Sequence, residues 1–167
     1  MRSHHPHAML RKEAEEIVSL VRKLHPHTFI DLFGGSGTVS MIASRSFDVI
    51  YCDRRNWVNR NDFDIFITDY REVLPFAGKK DVVFADPPFF GLNCFDKDWY
   101  GKKEHIELVK RLVDVDARSL ILNTRPFLKI LAAEAAEVGR RVRTLRRWNY
   151  RIDEELAHNP VYLAILE

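Results

Sequence analysis

The sequence predicts an α/β protein in which a mostly parallel β-sheet is covered by helices on both faces. Two observations predict this fold. Short runs rich in β-branched and aromatic residues alternate along the chain with segments of helical periodicity. These runs are apolar on both faces, as expected of parallel strands buried on both sides. Since no linker rich in Ser, Gly or Pro interrupts the 167 residues, we expect one domain, with an N-terminal helix region (1–27) and a core (28–167).

The predicted elements follow one another in a regular order. The first helix is expected at 10–24, where apolar residues recur on one face, with Glu13 early and Arg22 late, as the helix dipole favours. Strands are predicted at 28–32, 48–52, 64–68, 81–85, 119–123, 141–150 and 161–166. Further helices are predicted at 38–46, 104–115 and 127–138, and a turn around His158, Asn159 and Pro160 joins the last two strands. Because ligands bind at the carboxyl ends of parallel strands, functional residues are expected directly after the first five.

The composition excludes several classes of protein. No apolar run approaches the ~20 residues that cross a bilayer, and the first ten residues lack the apolar core of a signal peptide. Cys52 and Cys94 lie far apart without zinc-type spacing, which predicts a reduced, cytoplasmic protein. Five of the seven histidines fall in the first 27 residues, but no further ligands converge on them, so no metal site is predicted.

Positive charge is concentrated toward the C-terminal end. Residues 1–117 carry 17 Lys and Arg against 18 Asp and Glu, whereas residues 118–167 carry nine against six. Six of these arginines fall between Arg140 and Arg151, beside Trp148 and Tyr150, and such a mixture is typical of a surface that follows nucleic-acid phosphates. A solvated edge hairpin whose charges resist aggregation explains the segment equally well.

A glycine-rich turn follows the first predicted strand. The segment Phe33-Gly34-Gly35-Ser36-Gly37-Thr38 places three glycines where a strand turns into a helix, and glycine there lets a ligand approach the backbone closely. A tight turn without a ligand is the alternative. Two acids favour a ligand, because Asp31 ends this strand, where a buried carboxylate is costly without a cation, and Asp53 ends the next, where a ribose-binding acid belongs.

The turn does not fit a dinucleotide. Counting from Gly35, the third glycine of G-x-G-x-x-G is replaced by Ser40, and the acid before the turn would repel a pyrophosphate. A cationic nucleoside without phosphate fits better. S-adenosylmethionine (SAM) has an ammonium group, a sulfonium, a ribose and an adenine, and it is the predicted cofactor.

A second motif, the tetrapeptide Asp86-Pro87-Pro88-Phe89, follows the predicted strand 81–85. Its prolines fix φ and remove two backbone donors, which leaves carbonyl acceptors beside one carboxylate and one ring. An exocyclic amine of a nucleobase is a poor nucleophile, and acceptors on its hydrogens would localise its lone pair while Phe89 stacks on the base. A rigid turn with Phe89 in the core is the alternative. The loop 91–103 that follows carries Phe95, Lys97 and Trp99, and we expect it to close over the extruded base; a packed surface loop is the alternative.

DLFGGSG followed by DPPF resembles the SAM-dependent amino-methyltransferases, and is most similar to the Dam-like adenine-N(6) DNA methyltransferases. The segment 66–74 resembles that family's acidic motif, and the stretch from Phe89 to Leu108 is similar to its loop-and-helix continuation. The resemblance covers roughly residues 28–124. It implies the Rossmann-like class I fold, with seven strands of which the last is antiparallel, and methyl transfer to adenine N6 in DNA.

The resemblance also implies roles for individual residues. Asp31 and the backbone of the turn that contains Phe33, Gly34, Gly35, Gly37 and Thr38 would hold the methionine part of SAM. Asp53 would bind the ribose hydroxyls, Asp69 the amine of the SAM adenine, and Tyr70 would lie beside that ring. Asp86, Pro87, Pro88 and Phe89 would form the catalytic site and hold the target base.

Several alternatives stay open. An RNA methyltransferase acting on adenine or guanine also uses DPPF-type tetrapeptides, whereas protein glutamine methylation usually begins the tetrapeptide with Asn. A non-catalytic SAM-binding subunit is a third alternative, and a nicotinamide-dependent oxidoreductase would need the missing glycine. No inserted recognition domain is present before or after the tetrapeptide. The expected partners are therefore nucleic acid, with DNA favoured over RNA, and a homodimer or a specificity-providing protein, without a membrane.

Overall fold

The computed structural model describes residues 9–58, 62–90, 100–150 and 159–167. Two compact units make up the chain, Met1–Phe84 and Ala85–Glu167. Within the described residues no helix is long and apolar enough to cross a membrane.

In its described residues the first unit consists of parallel strands, three α-helices and one 3₁₀ turn. Its elements are α1 (Arg11–Arg22), β1 (Thr28–Asp31), α2 (Thr38–Ala43), β2 (Asp48–Asp53), β3 (Asp64–Ile67), α3 (Tyr70–Val73), a 3₁₀ turn (Leu74–Phe76) and β4 (Val82–Ala85). The strands lie in the order β3-β2-β1-β4, and each neighbouring pair is parallel. Apolar side chains of β1 and β4 are buried, with the rings of Phe29 and Phe84 stacked at 6.3 Å. Helix α1 buries one face made of Ala14, Ile17, Val18 and Val21.

One strand of this unit departs from the expectation of burial on both faces. In β3 the side chains of Phe66 and Ile67 are 47% and 45% exposed. The reason is its place at the end of the strand order, where it pairs with β2 alone. The short helix α3 and the 3₁₀ turn were not predicted, because a four-residue helix gives no detectable period.

The second unit contains two helices and three strands. Its elements are α4 (Lys102–Asp114), β5 (Arg118–Thr124), α5 (Arg125–Glu137), β6 (Val142–Tyr150) and β7 (Asn159–Leu166). Strand β7 lies between β5 and β6 and is antiparallel to both. The seven strands belong to one mixed, mostly parallel sheet, which confirms the predicted fold class and the reversed last strand.

The predicted boundaries differ from the observed ones by a few residues. The largest difference is at α2, which ends at Ala43 and not at Ser46. The turn predicted at 158–160 also differs, since Asn159 and Pro160 belong to β7, whereas His158 lies outside the described residues. Pro160 is tolerated in this strand next to its end, where a missing amide costs least.

Candidate functional site

Asp31 is the most deeply buried acid of the predicted cofactor site. Its side chain is 1% exposed at the carboxyl end of β1, and the Ser40 hydroxyl donates to its Oδ2 at 2.7 Å. The other oxygen, Oδ1, is also buried, and among the described residues it has no well-formed hydrogen bond. A buried acceptor in this state is costly unless a donor arrives from outside the chain.

Burial raises the pKa of Asp31 to about 7. The nearby Asp53 carboxylate raises it further, whereas the Ser40 hydroxyl and the Phe33 amide act in the opposite direction. The free protein therefore takes up a proton at this site near neutral pH, and a cationic ligand would release that proton by stabilising the carboxylate.

The glycine turn is held together by Asp53 and Tyr51. The Gly35 amide donates to Asp53 Oδ2 at 2.9 Å, and the Tyr51 hydroxyl donates to the Gly35 carbonyl at 2.7 Å. Gly35 and Gly37 have φ of 50° and 72°, a region that side chains other than glycine rarely adopt. Asp53, predicted to bind a ribose, also closes the turn in this structure, and its Oδ1 accepts the Arg55 amide at 2.9 Å.

Gly34 is required for packing. A Cβ at this position would lie 2.1 Å from Cε2 of Tyr51, whose ring packs against the turn. The sequence suggested that this glycine allows close approach of a ligand, whereas here it allows close approach of the tyrosine. At Gly35, in contrast, the nearest atom to a built Cβ is the Phe33 carbonyl oxygen at 3.9 Å, so the side open to a ligand is at Gly35.

Gly34→Ala is expected to destabilise the protein by about 1–3 kcal/mol, because the added methyl displaces the Tyr51 ring. Thermal unfolding measures this loss. Gly78→Ala is the matched control, since a Cβ there meets its nearest atom at 3.6 Å, an ordinary contact distance. Equal melting temperatures for the two variants would contradict the packing role of Gly34.

Asp69 and Tyr70 lie where β3 leads into α3. The Asp69 carboxylate caps this helix, accepting the Arg71 amide at 3.0 Å and the Arg71 guanidinium at 2.9 Å. The Tyr70 ring is 2% exposed and lies 5.3 Å from the Phe33 ring. The structure thus packs the aromatic ring of the glycine turn against that of α3. The roles of Asp69 and Tyr70 toward adenine stay predictions.

The tetrapeptide of residues 86–89 begins directly after β4. Pro87 is buried, whereas the side chains of Asp86, Pro88 and Phe89 are half-buried. Its geometry is fixed by a residue that the sequence did not single out. His105 Nε2 donates to the Pro88 carbonyl at 2.6 Å, and Nδ1 lies 2.8 Å from the Gly101 carbonyl. Because a carbonyl oxygen only accepts, Nε2 is the donor in the bond to Pro88.

The residue after the tetrapeptide is held from the end of β5. The Phe90 amide donates to Asn123 Oδ1 at 3.0 Å, and the Thr124 hydroxyl donates to the Phe90 carbonyl at 2.9 Å. Asn123 is fully buried, and its Nδ2 has no hydrogen-bond partner among the described residues. The strand-end rule pointed to the residues after Asn123, but it gave no reason to select Asn123 itself.

The basic segment 140–151, which the sequence suggested as one surface, has its described arginines in different places in the structure. Arg140 is a structural residue, because its guanidinium donates to the carbonyls of residues 112, 113, 115 and 117 at the end of α4. A register shift between Thr144 and Arg146 places Arg143, Arg146 and Trp148 on one face of β6, paired with Ile165, Leu163 and Val161. Arg147 lies on the other face, with its guanidinium 6.0 Å from the centre of the Tyr162 ring.

Some sequence predictions fall on residues outside the described part. These are Cys94, most of the loop 91–103, Arg151, and His4, His5 and His7. Of that loop, Tyr100 is described and buried, and Lys102 and Lys103 belong to the first turn of α4. Among the described residues no cluster of His, Cys, Asp and Glu could hold a metal ion.

Comparison with known proteins identifies the fold. No protein-family model matches the chain, and no curated protein matches it. It is similar to a candidate RNA methyltransferase from Pyrococcus horikoshii, with a TM-score of 0.67 and 17% identity over 93% of this chain and 82% of that one. It is also similar to the E. cuniculi Mtq2–Trm112 complex, which methylates the eRF1 translation termination factor, with a TM-score of 0.67 and 16% identity over 97% of this chain and 98% of the matched one.

A third similar structure contains the predicted cofactor. The magnesium protoporphyrin IX methyltransferase ChlM from Synechocystis PCC 6803 was solved with bound SAM, and it matches with a TM-score of 0.57 and 12% identity over 93% of this chain and 78% of that one. At such identities the likeness concerns the fold, and this chain has the Rossmann-like fold of these methyltransferases.

Proposed function

We propose that this chain transfers a methyl group from SAM to the exocyclic amine of a nucleobase, with adenine N6 in DNA as the substrate. The observation that carries the proposal is the pairing of β1 with β4. The strands are parallel with Asp31 opposite Phe84, and the Leu32 amide donates to the Phe84 carbonyl at 2.9 Å. Both strands therefore end at the same edge of the sheet, and the glycine turn follows β1 whereas the tetrapeptide follows β4.

The residues of the glycine turn fit SAM. The buried Oδ1 of Asp31 is an acceptor without a partner among the described residues, and an ammonium group would satisfy it. Asp53 accepts one amide on each oxygen, which leaves lone pairs that can accept ribose hydroxyls. The half-buried Phe33 ring offers an apolar surface for an adenine, and the buried Tyr70 ring supports it from behind. When bound, SAM supplies a methyl group on a sulfonium that is already activated for transfer.

The tetrapeptide provides what the target amine lacks. The Asp86 carboxylate and the Pro87 carbonyl accept hydrogen bonds from the two amine hydrogens, which localises the nitrogen lone pair as the nitrogen becomes tetrahedral. The nitrogen–methyl bond forms as the sulfur–methyl bond breaks, S-adenosylhomocysteine leaves, and one amine proton is then lost to solvent. Phe89 stacks on the extruded base, a contact worth ~1–3 kcal/mol. No strong general base is required before transfer, so the main contribution of these residues is to orient the base.

RNA is the second candidate substrate. The similarity to a candidate RNA methyltransferase supports it, and an adenine or guanine amine in RNA offers the same hydrogens to Asp86 and Pro87. A partner that provides specificity is part of either proposal. The Mtq2–Trm112 complex supports such an arrangement, because a methyltransferase of this fold is found there with a second protein.

The experiment that tests the proposal uses methyl-labelled SAM with separate pools of DNA and RNA. After digestion, the labelled nucleoside is identified, and the Asp86→Ala variant serves as the control protein. N6-methyl-2′-deoxyadenosine from the DNA pool supports the first candidate, and label found in RNA alone supports the second. SAM binding without any label, with and without cell extract as a source of partner, would favour a non-catalytic SAM-binding subunit. Absence of SAM binding would overturn the proposal altogether.

A further inference from the structure

We propose that His105 is the positioning residue of the tetrapeptide, and that its hydrogen bond to the Pro88 carbonyl sets the orientation in which Asp86 and Phe89 meet the target base. The inference rests on the proposed function. Its starting observation is the 2.6 Å contact between His105 Nε2 and the Pro88 carbonyl oxygen, made by a ring that is 4% exposed.

The two prolines explain why a side chain is needed at this point. Pro87 and Pro88 have no N–H groups, so the tetrapeptide cannot be fixed through backbone donors at these positions. Its carbonyls are the groups through which it can be held. A buried imidazole that donates to one of them supplies an anchor that the neighbouring backbone cannot.

The His105 ring is itself immobilised. Its Nδ1 contacts the Gly101 carbonyl at 2.8 Å, at the start of its own helix. Three rings pack edge to face around it, with centroid distances of 5.1 Å to Phe90, 4.5 Å to Tyr100 and 5.5 Å to Phe127. A ring locked on this many sides holds its partner carbonyl in one place, which is the condition for preorganisation.

The residue that follows the tetrapeptide is fixed independently. Asn123 and Thr124 bind the amide and the carbonyl of Phe90. Phe89 therefore lies between two anchored peptide groups, that of Pro88 on one side and that of Phe90 on the other. Removing the His105 bond would release one anchor while the other remains, so the segment would shift without unfolding.

The first test compares His105→Phe with His105→Gln and with Leu112→Ala. Phenylalanine fills the space between the rings but donates nothing, whereas glutamine keeps an N–H donor. Leu112 is fully buried two turns further along α4, so its truncation reports the effect of destabilising that helix. The assays measure kcat, the SAM dissociation constant and the melting temperature. The first two are measured at a temperature well below the unfolding range of every variant.

We expect His105→Phe to lower kcat ~100-fold, because displacement of a reactant by about 1 Å has an effect of that size. The SAM dissociation constant should stay unchanged. The kcat of His105→Gln should be at least tenfold higher than that of His105→Phe. Leu112→Ala should keep most of the wild-type kcat despite a lower melting temperature. A kcat for His105→Phe equal to that of Leu112→Ala at a similar melting temperature would overturn the inference.

A second measurement is independent of activity and of folding in the variants. In the wild-type protein with ¹⁵N-labelled histidine, the Nε2 of His105 should carry a proton that exchanges slowly with water, because it is buried in a bond to the Pro88 carbonyl. An unprotonated Nε2 would overturn the inference. If no nucleic acid is methylated but this proton is observed, the proposed function has failed and the anchoring of the tetrapeptide by His105 stands.

Discussion

Asp86→Ala is expected to reduce methyl transfer about 10³-fold while SAM still binds with its original affinity. The effect is large because the Asp86 carboxylate accepts a hydrogen of the target amine as positive charge develops on the nitrogen, and removing one such group costs ~10²–10³ in rate. Single-turnover transfer from labelled SAM measures the rate, and calorimetry measures the affinity. Asp86→Asn should be impaired as well, since it removes the negative charge with little change in shape.

The matched control is Asp81→Ala, at the opposite end of the same strand. There Oδ2 accepts the Gly78 amide at 2.9 Å, and the residue lies outside the proposed site. This variant should melt at a lower temperature but keep its rate per folded molecule. Retained turnover in Asp86→Ala, or an equal loss in both variants, would contradict the role of Asp86.

Asp31→Asn is expected to weaken SAM binding on the order of 100-fold and, in the absence of SAM, to stabilise the protein above pH 7. Both effects follow from burial. The carboxylate is the charged partner of the SAM ammonium group, and a charge-assisted hydrogen bond contributes about 1.5–3 kcal/mol. Without the ligand, the same charge is desolvated, as the raised pKa of about 7 indicates. An amide retains an acceptor for the Ser40 hydroxyl without that penalty.

The raised pKa of Asp31 also determines how stability and SAM affinity change with pH. The folded pKa of Asp31 is about 7 against an ordinary aspartate value of 3.8, so the folded state binds the extra proton between these values. The free energy of unfolding of the SAM-free protein therefore falls as pH rises from about 4 to about 7, and the proton competes with SAM below pH 7. The SAM dissociation constant should rise by up to about tenfold per pH unit below the pKa.

Calorimetric titrations between pH 5.5 and 7.5 measure the pH dependence of the SAM dissociation constant. Chemical denaturation over the same range measures the pH dependence of the free energy of unfolding. Asp48→Asn, an exposed acid at the start of β2, is the control that should leave them unchanged. An Asp31→Asn protein that keeps the wild-type pH dependence of SAM binding would rule out Asp31 as the group that titrates.

Most of the fold could be predicted from the sequence. Runs such as the one ending at Asp31 and the one ending at Ala85 are short, apolar and bounded by polar residues. Their burial can therefore be predicted from local composition. The prediction was wrong where the environment, not the local pattern, decides. The run that forms β3 is as apolar as the others, yet Phe66 and Ile67 are exposed because this strand has one neighbour.

The candidate site was predictable only in part. The glycine turn and the tetrapeptide are contiguous in sequence, and their chemistry follows from residue types: glycines that allow close approach, and prolines that free carbonyls. The roles given to their side chains stay predictions until a ligand is measured. What the sequence by itself determined is therefore the order of the elements, the fold class and the position of two motifs after two strands.

The tertiary structure decided which residues support those motifs. Tyr51 packs on Gly34, and His105 bonds to Pro88 17 residues away. The Arg140 guanidinium donates to the carbonyls at the end of α4, so it is not part of the basic surface. None of these contacts can be predicted from the neighbouring residues in sequence. The sequence alone does not distinguish a supporting tyrosine, histidine or arginine from any other, because its partner is brought to it only by folding. Local composition fixes where a strand or turn forms, whereas long-range packing alone fixes which side chain holds it.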